Sequence, residues 1–468
     1  MHFVLLKTDL LFFLLLAAAG LYALYAGRHE HLRAPWREVA RQPFGMGAAV
    51  VLLAYLLIAV LDSIHFLPAA TTTAGGPAGD SSDVTSVFDV AVAPLRHSAE
   101  RTYSVPFATE AYAKETVELA DGSTMRAYPR LEHGGAHLRD PVSERVPDIA
   151  ARVIFGVAGG LAGAIVLAAL MTLLWAWHGR EAWSSAAGAI LRGDTTVSWR
   201  VVFATLGALG VLLGSAIELT PYYHVFGTDQ VGNDVLYQAL KSVRTGLLIG
   251  TLTTLVMLPF ALVLGLAAGY FGGWVDDVIQ YLYTTLSSIP GVLLVAAAAL
   301  MLEVYMAKQS AAYTSLVMRA DLRLLALCLI LGVTAWTGLC RYLRGEALKL
   351  RTIEYIDAAR AFGVRHAVIL ARHIVPNIMH IVMISIVLDF SGLVLAEAAL
   401  TYIDIGVDPS MESWGNMING ARLELAREPV VWWSLAAAFV FMFGLVLAAN
   451  LFADAVRDAF DPRLRDGR

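Results

Sequence analysis

Cysteine and charge are both scarce in this 468-residue chain. Its two cysteines, Cys328 and Cys340, lie in one apolar stretch. They cannot staple an extracellular domain, and their spacing matches no zinc or thioredoxin pattern, so they read as small core residues. Charged residues make up only 16% of the chain, against roughly a quarter in a soluble domain. A formal net charge of −5, with no basic patch laced with aromatics, implies no nucleic-acid partner. No G-x-x-x-x-G-K-[ST] sequence occurs, so the chain does not hold ATP in a P-loop. No metal cluster or nucleophile motif stands out. His133 and His137 are four apart, but Gly134 and Gly135 between them argue against one helical face. No internal repeat is evident.

What the chain has is apolar sequence in long blocks. It is 58% hydrophobic, with a mean hydropathy of +0.64. A spanning helix needs about 20 mostly apolar residues. Candidates run near 9–27, 45–67, 150–177, 200–219, 245–270, 278–303, 322–342, 374–400 and 430–452. The expected fold is therefore an all-α polytopic membrane protein with about nine transmembrane helices. Short-loop cations follow alternate spans: Arg28, Arg33, Arg37 and Arg41 after the first; Arg180, Arg192 and Arg200 after the third. Arg341, Arg344, Lys349, Arg351, Arg360, Arg365 and Arg372 follow the seventh, and Arg457, Arg463, Arg465 and Arg468 the ninth. The positive-inside rule makes those segments cytoplasmic, with the N-terminus outside and the C-terminus inside. A rival reading takes the first apolar run, ending Ala17-Ala18-Ala19, as a cleaved signal peptide. The arginines after it favour an uncleaved span.

Residues 1–67 thus hold two spans, and 68–149 form an extracytoplasmic insert. The insert opens with a Thr/Gly/Pro linker, continues in short alternating runs such as 84–92, and carries a hairpin signal at Asp121-Gly122 between 116–120 and 124–128. A small strand-containing domain is expected, or a structured loop lying on other subunits. Residues 150–199 hold a further span and a cytoplasmic amphipathic link, in which Trp175, Trp177 and Trp183 suit an interfacial anchor.

Residues 200–460 carry the most information. Phe226-Gly227-Thr228-Asp229-Gln230-Val231-Gly232-Asn233-Asp234 precedes a span, and Ala267-Ala268-Gly269-Tyr270-Phe271-Gly272-Gly273-Trp274 ends it. Then come Glu354-Tyr355-Ile356-Asp357-Ala358-Ala359-Arg360-Ala361-Phe362-Gly363, Arg372-His373-Ile374-Val375-Pro376-Asn377, Ala396-Glu397-Ala398-Ala399-Leu400 and Ser413-Trp414-Gly415-Asn416. Physics alone predicts a rigid helix–turn–helix in the central loop. Glu354 and Asp357 come early and Arg360 late, as a helix dipole favours. Gly363 ends the helix at little cost, a second short helix follows over 364–372, and Pro376 sits near the start of the next span. Asp229 and Asp234 can cap the helix after the first motif.

In that order the segments resemble the second permease subunit of dipeptide and oligopeptide ABC importers, a binding-protein-dependent transport inner-membrane component. The resemblance implies a six-helix permease core over 200–460 and a coupling loop over 344–376 that docks on a separate ATPase. Carried over by position, Glu354, Asp357, Ala358, Ala359 and Gly363 make or shape that docking. Many members have glutamate at Asp357 and arginine at Asn233. The resemblance also implies a second permease chain, two ATP-binding subunits holding ATP and magnesium, and an extracytoplasmic solute-binding protein, in a bacterial inner membrane. No cofactor is expected in this chain itself. Mid-span, Asp389 and Glu397 share a helical face and are candidates for the translocation path, or for interhelical hydrogen bonds. Asp389 departs from the small residue common in the family. The cargo is expected to be di- or oligopeptides, with nickel chelates or oligosaccharides as alternatives. A different class of alternative is a membrane sensor or enzyme acting through residues 68–149.

Overall fold

The computed structural model describes residues 2–67, 84–118, 124–179, 182–308 and 315–460. Strand β1 (His2–Val4) leads into helices α1 (Lys7–Gly27), α2 (Glu30–Arg41) and α3 (Pro43–Asp62). Strand β2 (His65–Leu67) follows α3, and the insert holds β3 (Thr85–Ser86), α4 (Val87–Ala91), α5 (Ala93–His97), β4 (Glu115–Glu118) and β5 (Thr124–Ala127). Next come α6 (Pro141–Gly179), α7 (Trp183–Arg192), α8 (Trp199–Leu219), α9 (Val235–Phe271), α10 (Gly273–Ser288), α11 (Gly291–Lys308), α12 (Leu316–Ala335) and α13 (Thr337–Leu350). The chain ends with α14 (Glu354–Ala361), α15 (His366–Ile369), a π-helical turn (Leu370–Ile374), α16 (Val375–Tyr402), α17 (Trp414–Glu424) and α18 (Trp433–Phe460).

Among the described residues eight helices are long and apolar enough to cross a membrane: α1, α3, α6, α8, α9, α11, the run His366–Tyr402, and α18. The sequence expectation was about nine. The difference lies at 322–342, which divides between α12 and α13 at Trp336. Arg319, Asp321 and Arg323 in the first turns of α12 dilute its apolar character. The expected span 278–303 divides at Pro290 into α10 and α11, where the missing N–H interrupts the ladder. Helix α6 has 39 residues, about 58 Å at 1.5 Å per residue. That exceeds a bilayer core of about 30 Å, so part of it projects beyond the membrane.

The chain divides into two compact units. One comprises Met1–Val4, Arg37–Thr245 and Glu412–Ala448. Here α6 and α8 run antiparallel with backbones in contact. Gly156 faces Gly214 and Gly160 faces Gly210, and a Cβ at Gly160 or Gly214 would collide with the opposite backbone. Each helix therefore carries a G-x-x-x-G seam. The sheet order is β1-β2-β3, with His2 opposite Leu67 and His65 opposite Ser86. Residues 84–92 are not one alternating strand, because Ser86 and Asp89 form a capping box that starts α4. Strands β4 and β5 pair antiparallel, Val117 opposite Met125; the Asp121-Gly122 turn lies outside the described residues.

The same unit fastens the insert along the loop 220–234. Glu100 N–H donates to Gly232 O at 2.9 Å, Thr228 N–H to Ser104 O at 3.1 Å, Phe107 N–H to His224 O at 2.9 Å and Gly135 N–H to Tyr222 O at 2.8 Å. Two tryptophans, Trp433 and Trp414 of the last motif, complete this layer. Trp433 Nε1 donates to Thr228 O at 2.8 Å, and Trp414 Nε1 to Ala239 O at 3.0 Å.

The other unit comprises Leu5–Trp36, Gly246–Met411 and Ala449–Arg468. Helix α1 rests on α12 through buried Asp321, whose carboxylate accepts the N–H of Lys7 at 2.9 Å and the Thr8 hydroxyl. A charge in the second turn of α12 is thus answered by a helix N-terminus. The apolar core of this unit gathers Met257, Tyr270, Cys340, Leu343, Ile356 and Ile374. Both cysteines are free and buried, in keeping with a packing role.

Candidate functional site

The central loop is built as a bracket on that core. Helix α14 starts at Glu354 with both its acids, Glu354 and Asp357, in the first turn and Arg360 in the last. Its end is a Schellman motif. Val364 N–H reaches Ala359 O at 3.0 Å and Gly363 N–H reaches Arg360 O at 2.9 Å, with Gly363 at φ +73°. That left-handed geometry is cheap only for glycine. Helix α15 and the π turn then lead into α16, with Pro376 in its first turn.

One residue anchors α14. Ile356 is 0% exposed and sits in the core, where its burial contributes about 1.5–3 kcal/mol. Ala359 packs against the same cluster. Beneath the bracket, the Arg360 guanidinium lies 4.7 Å over the Tyr270 ring, and Tyr270 Oη lies 2.8 Å from His366 Nδ1. Arg344 holds Asp276 with two bonds, of 2.5 and 2.7 Å. Asn377 Nδ2 donates to Tyr355 Oη at 3.2 Å, joining α14 to the start of α16. The opposite face is bare. Glu354, Asp357, Ala358 and Gly363 are exposed, and Phe362 is 88% exposed. The five expected docking residues therefore share one short bracket, with Ala359 partly turned inward. Sequence reasoning singled out neither Phe362 nor the Tyr270–Arg360–His366 brace. Tyr270 lies in a motif of its own, but its partners are 90 and more positions away.

The two intramembrane carboxylates of α16 have different settings. Glu397 is 1% exposed and accepts the Thr401 hydroxyl at 2.8 Å. Asp389 is half-buried, and among the described residues nothing donates a hydrogen bond to its carboxylate.

A separate ionic cluster lies at the seam between the insert and the loop 220–234. His224 is buried between Asp234, at 2.7 Å from Nδ1, and Glu100, at 3.4 Å from Nε2. Burial pulls the imidazole pKa down, but the bonds to Asp234 and Glu100 outweigh it and raise the pKa to about 9. Burial pushes Glu100 up, while His224 and the N–H groups of Glu132, His133 and Gly134 bring it down to about 2. Asp234 also caps α9 through the N–H of Leu236. Asp229 instead closes its own turn onto Val231 and Asn233. Lys241 bonds Asp89 at 2.6 Å and lies 3.8 Å from Asp62. Glu412 lines a cavity of about 250 Å³ with Arg96, Asn233, Asp234 and Tyr237, and burial raises its pKa to about 7. His137 pairs with Asp148, not with His133, and the described residues hold no group of three or more metal-ligating side chains.

Comparison with known proteins gives a consistent result. Residues 261–466 match the family described as binding-protein-dependent transport system inner membrane component. The oligopeptide transport system permease protein OppC of Mycobacterium tuberculosis is 30% identical over 288 residues, covering 58% of this chain and 92% of that protein. The glutathione transport system permease protein GsiD of Pectobacterium atrosepticum is 31% identical, covering 52% and 73%. OppC of Haemophilus influenzae is 29% identical, covering 54% and 74%.

Proposed function

Because the chain belongs to the family of binding-protein-dependent transport system inner membrane components, we propose that it is one permease half of an ATP-driven ABC importer that moves peptides. It is a multi-pass membrane transport subunit rather than an enzyme, and it works within a larger transporter complex. The oligopeptide and glutathione named for its relatives support a peptide cargo.

The observation that carries the mechanism is the bracket over 354–376. It is rigid, tied to two long helices, and bare on the face carrying Glu354, Asp357, Ala358 and Phe362. Such an element passes a push into the membrane as a body. An ATPase subunit seated there rocks α14 when it closes on ATP, and the spans alternate between outward and inward access. ATP and magnesium belong to that subunit. A second permease chain, a second ATPase and a solute-binding protein complete the assembly.

The N-terminus lies outside and the C-terminus in the cytoplasm of a bacterial inner membrane, an arrangement that needs α12 (20 residues) as a ninth crossing beside the eight helices named above. Two sets of contacts support this topology. The β1–β2 pairing brings the chain start to the insert, and Ser198 bonds the backbone of Ala40 and Arg41, bringing two arginine-bearing junctions to one side. The test is reconstitution. In proteoliposomes with its partner permease, ATPases and binding protein, the chain should support ATP-dependent peptide uptake. A purified chain that binds no P-loop ATPase contradicts the proposal.

A further inference from the structure

Membrane-embedded carboxylates are kept where something answers their charge. Asp321 has the N-terminus of α1, and Glu397 has Thr401. Asp389 differs from both. It sits at the middle of α16, about 20 Å from either end at 1.5 Å per residue. Among the described residues, no donor and no cation meets its side chain.

Its neighbours fix where it points. Phe390 fills the space over Gly250 of α9, where a Cβ would strike the ring. Ser391 Oγ donates to Asn450 Oδ1 of α18 at 3.0 Å. At about 100° per residue, those two contacts occupy one side of α16 and leave Asp389 at its border. The adjoining face is uncovered: Leu388, Gly392, Leu395 and Ala399 are exposed, and a Cβ at Gly392 would meet nothing within 4 Å. Asp389 thus borders an open helical face with two small residues on it, and its carboxylate is left for something outside this chain.

We propose that Asp389 is the point in the translocation path that meets a positively charged group of the cargo, such as a peptide ammonium. This rests on the permease reading above. It makes Asp389 a specificity residue: the carboxylate offsets the cost of bringing a cation into the membrane, and gives a neutral cargo nothing. Since Phe390 and Ser391 are held by α9 and α18, the carboxylate stays in place when the path is empty.

The test uses the full complex in proteoliposomes with two probes, trialanine and N-acetyl-trialanine. Asp389→Asn should lower trialanine uptake about ten- to hundredfold, the worth of one hydrogen bond to a charged group. N-acetyl-trialanine uptake should stay unchanged, and Asp389→Glu should restore trialanine. Equal loss for both probes points to a counter-ion in the second permease chain and overturns the proposal, as does no loss for either. A second measurement does not depend on cargo. In a Cys328→Ala/Cys340→Ala chain, the thiol of Asp389→Cys should react with a water-borne methanethiosulfonate in one nucleotide state more than in the other. A thiol inert in both states places position 389 away from any aqueous path and overturns the proposal. Should the wild-type complex transport neither probe, the peptide reading fails, and labelling still decides the role of Asp389.

Discussion

At the scale of single residues, the most constrained group is His224. Its ring carries charge because Asp234 and Glu100 both need a cation, and with both at hand the protonated ring holds the insert to the loop 220–234. Its folded pKa of about 9 lies above the ordinary 6.5, so its contribution is complete below about pH 6.5 and is lost as pH rises through about 9. Glu100 works in the other direction: its stabilisation is present above about 4.5 and lost as pH falls toward about 2. Glu412 is a partly buried charge at the cavity wall, and its raised pKa means that protonation between pH 7 and 4.5 stabilises the seam. Limited proteolysis of the insert should therefore be slowest near pH 5–6 and quicken toward pH 9. His224→Gln leaves two buried carboxylates without their cation and should cost about 3–5 kcal/mol. A flat proteolysis profile in the wild-type protein would contradict this assignment.

At the scale of elements, short-range chemistry wrote itself plainly into the sequence. The bracket was legible because its signals are local: Glu354 and Asp357 early, Arg360 late, Gly363 at the end, Pro376 at the restart. The apolar runs announced most of the spans, but not their breaks at Pro290 and Trp336, since composition over 20 residues does not mark where a helix ends inside it. Residues 84–92 looked like a strand by alternation, yet the Ser86–Asp89 capping box favours a helix. Pairs such as Lys241 with Asp89 or Asp321 with Thr8 were not legible, because 152 and 313 positions separate them. Nor did the sequence pair α6 with α8, whose contact depends on four glycines meeting across two helices. That contact is open to test. Gly160→Leu should force the helices apart and lower stability by about 1–3 kcal/mol or more. Gly163→Leu, on the same helix but with nothing within 4 Å of its Cβ, should stay within about 0.5 kcal/mol. Thermal unfolding in detergent separates the two variants, and equal behaviour would remove the glycine seam as a cause of the pairing.

At the scale of the whole molecule, the proposed role is that of a passive conductor of force. The sequence holds no P-loop, so on that proposal the work of import enters from a separate subunit, through the bracket. The insert and the extra N-terminal helices are built into the units they belong to, through Asp321 at α1 and through the backbone bonds along 220–234. They are parts of the fold rather than appendages. The most direct measurement is uptake together with ATPase activity in proteoliposomes for Asp357→Arg and Gly363→Pro. The first reverses charge on the bare face; the second puts a residue locked near φ −65° where the backbone needs +73°. Both variants should insert normally, lose uptake to below about a tenth of wild type, and uncouple hydrolysis from cargo, as the loss of a complementary interface predicts. Full, cargo-stimulated uptake by both would contradict the account.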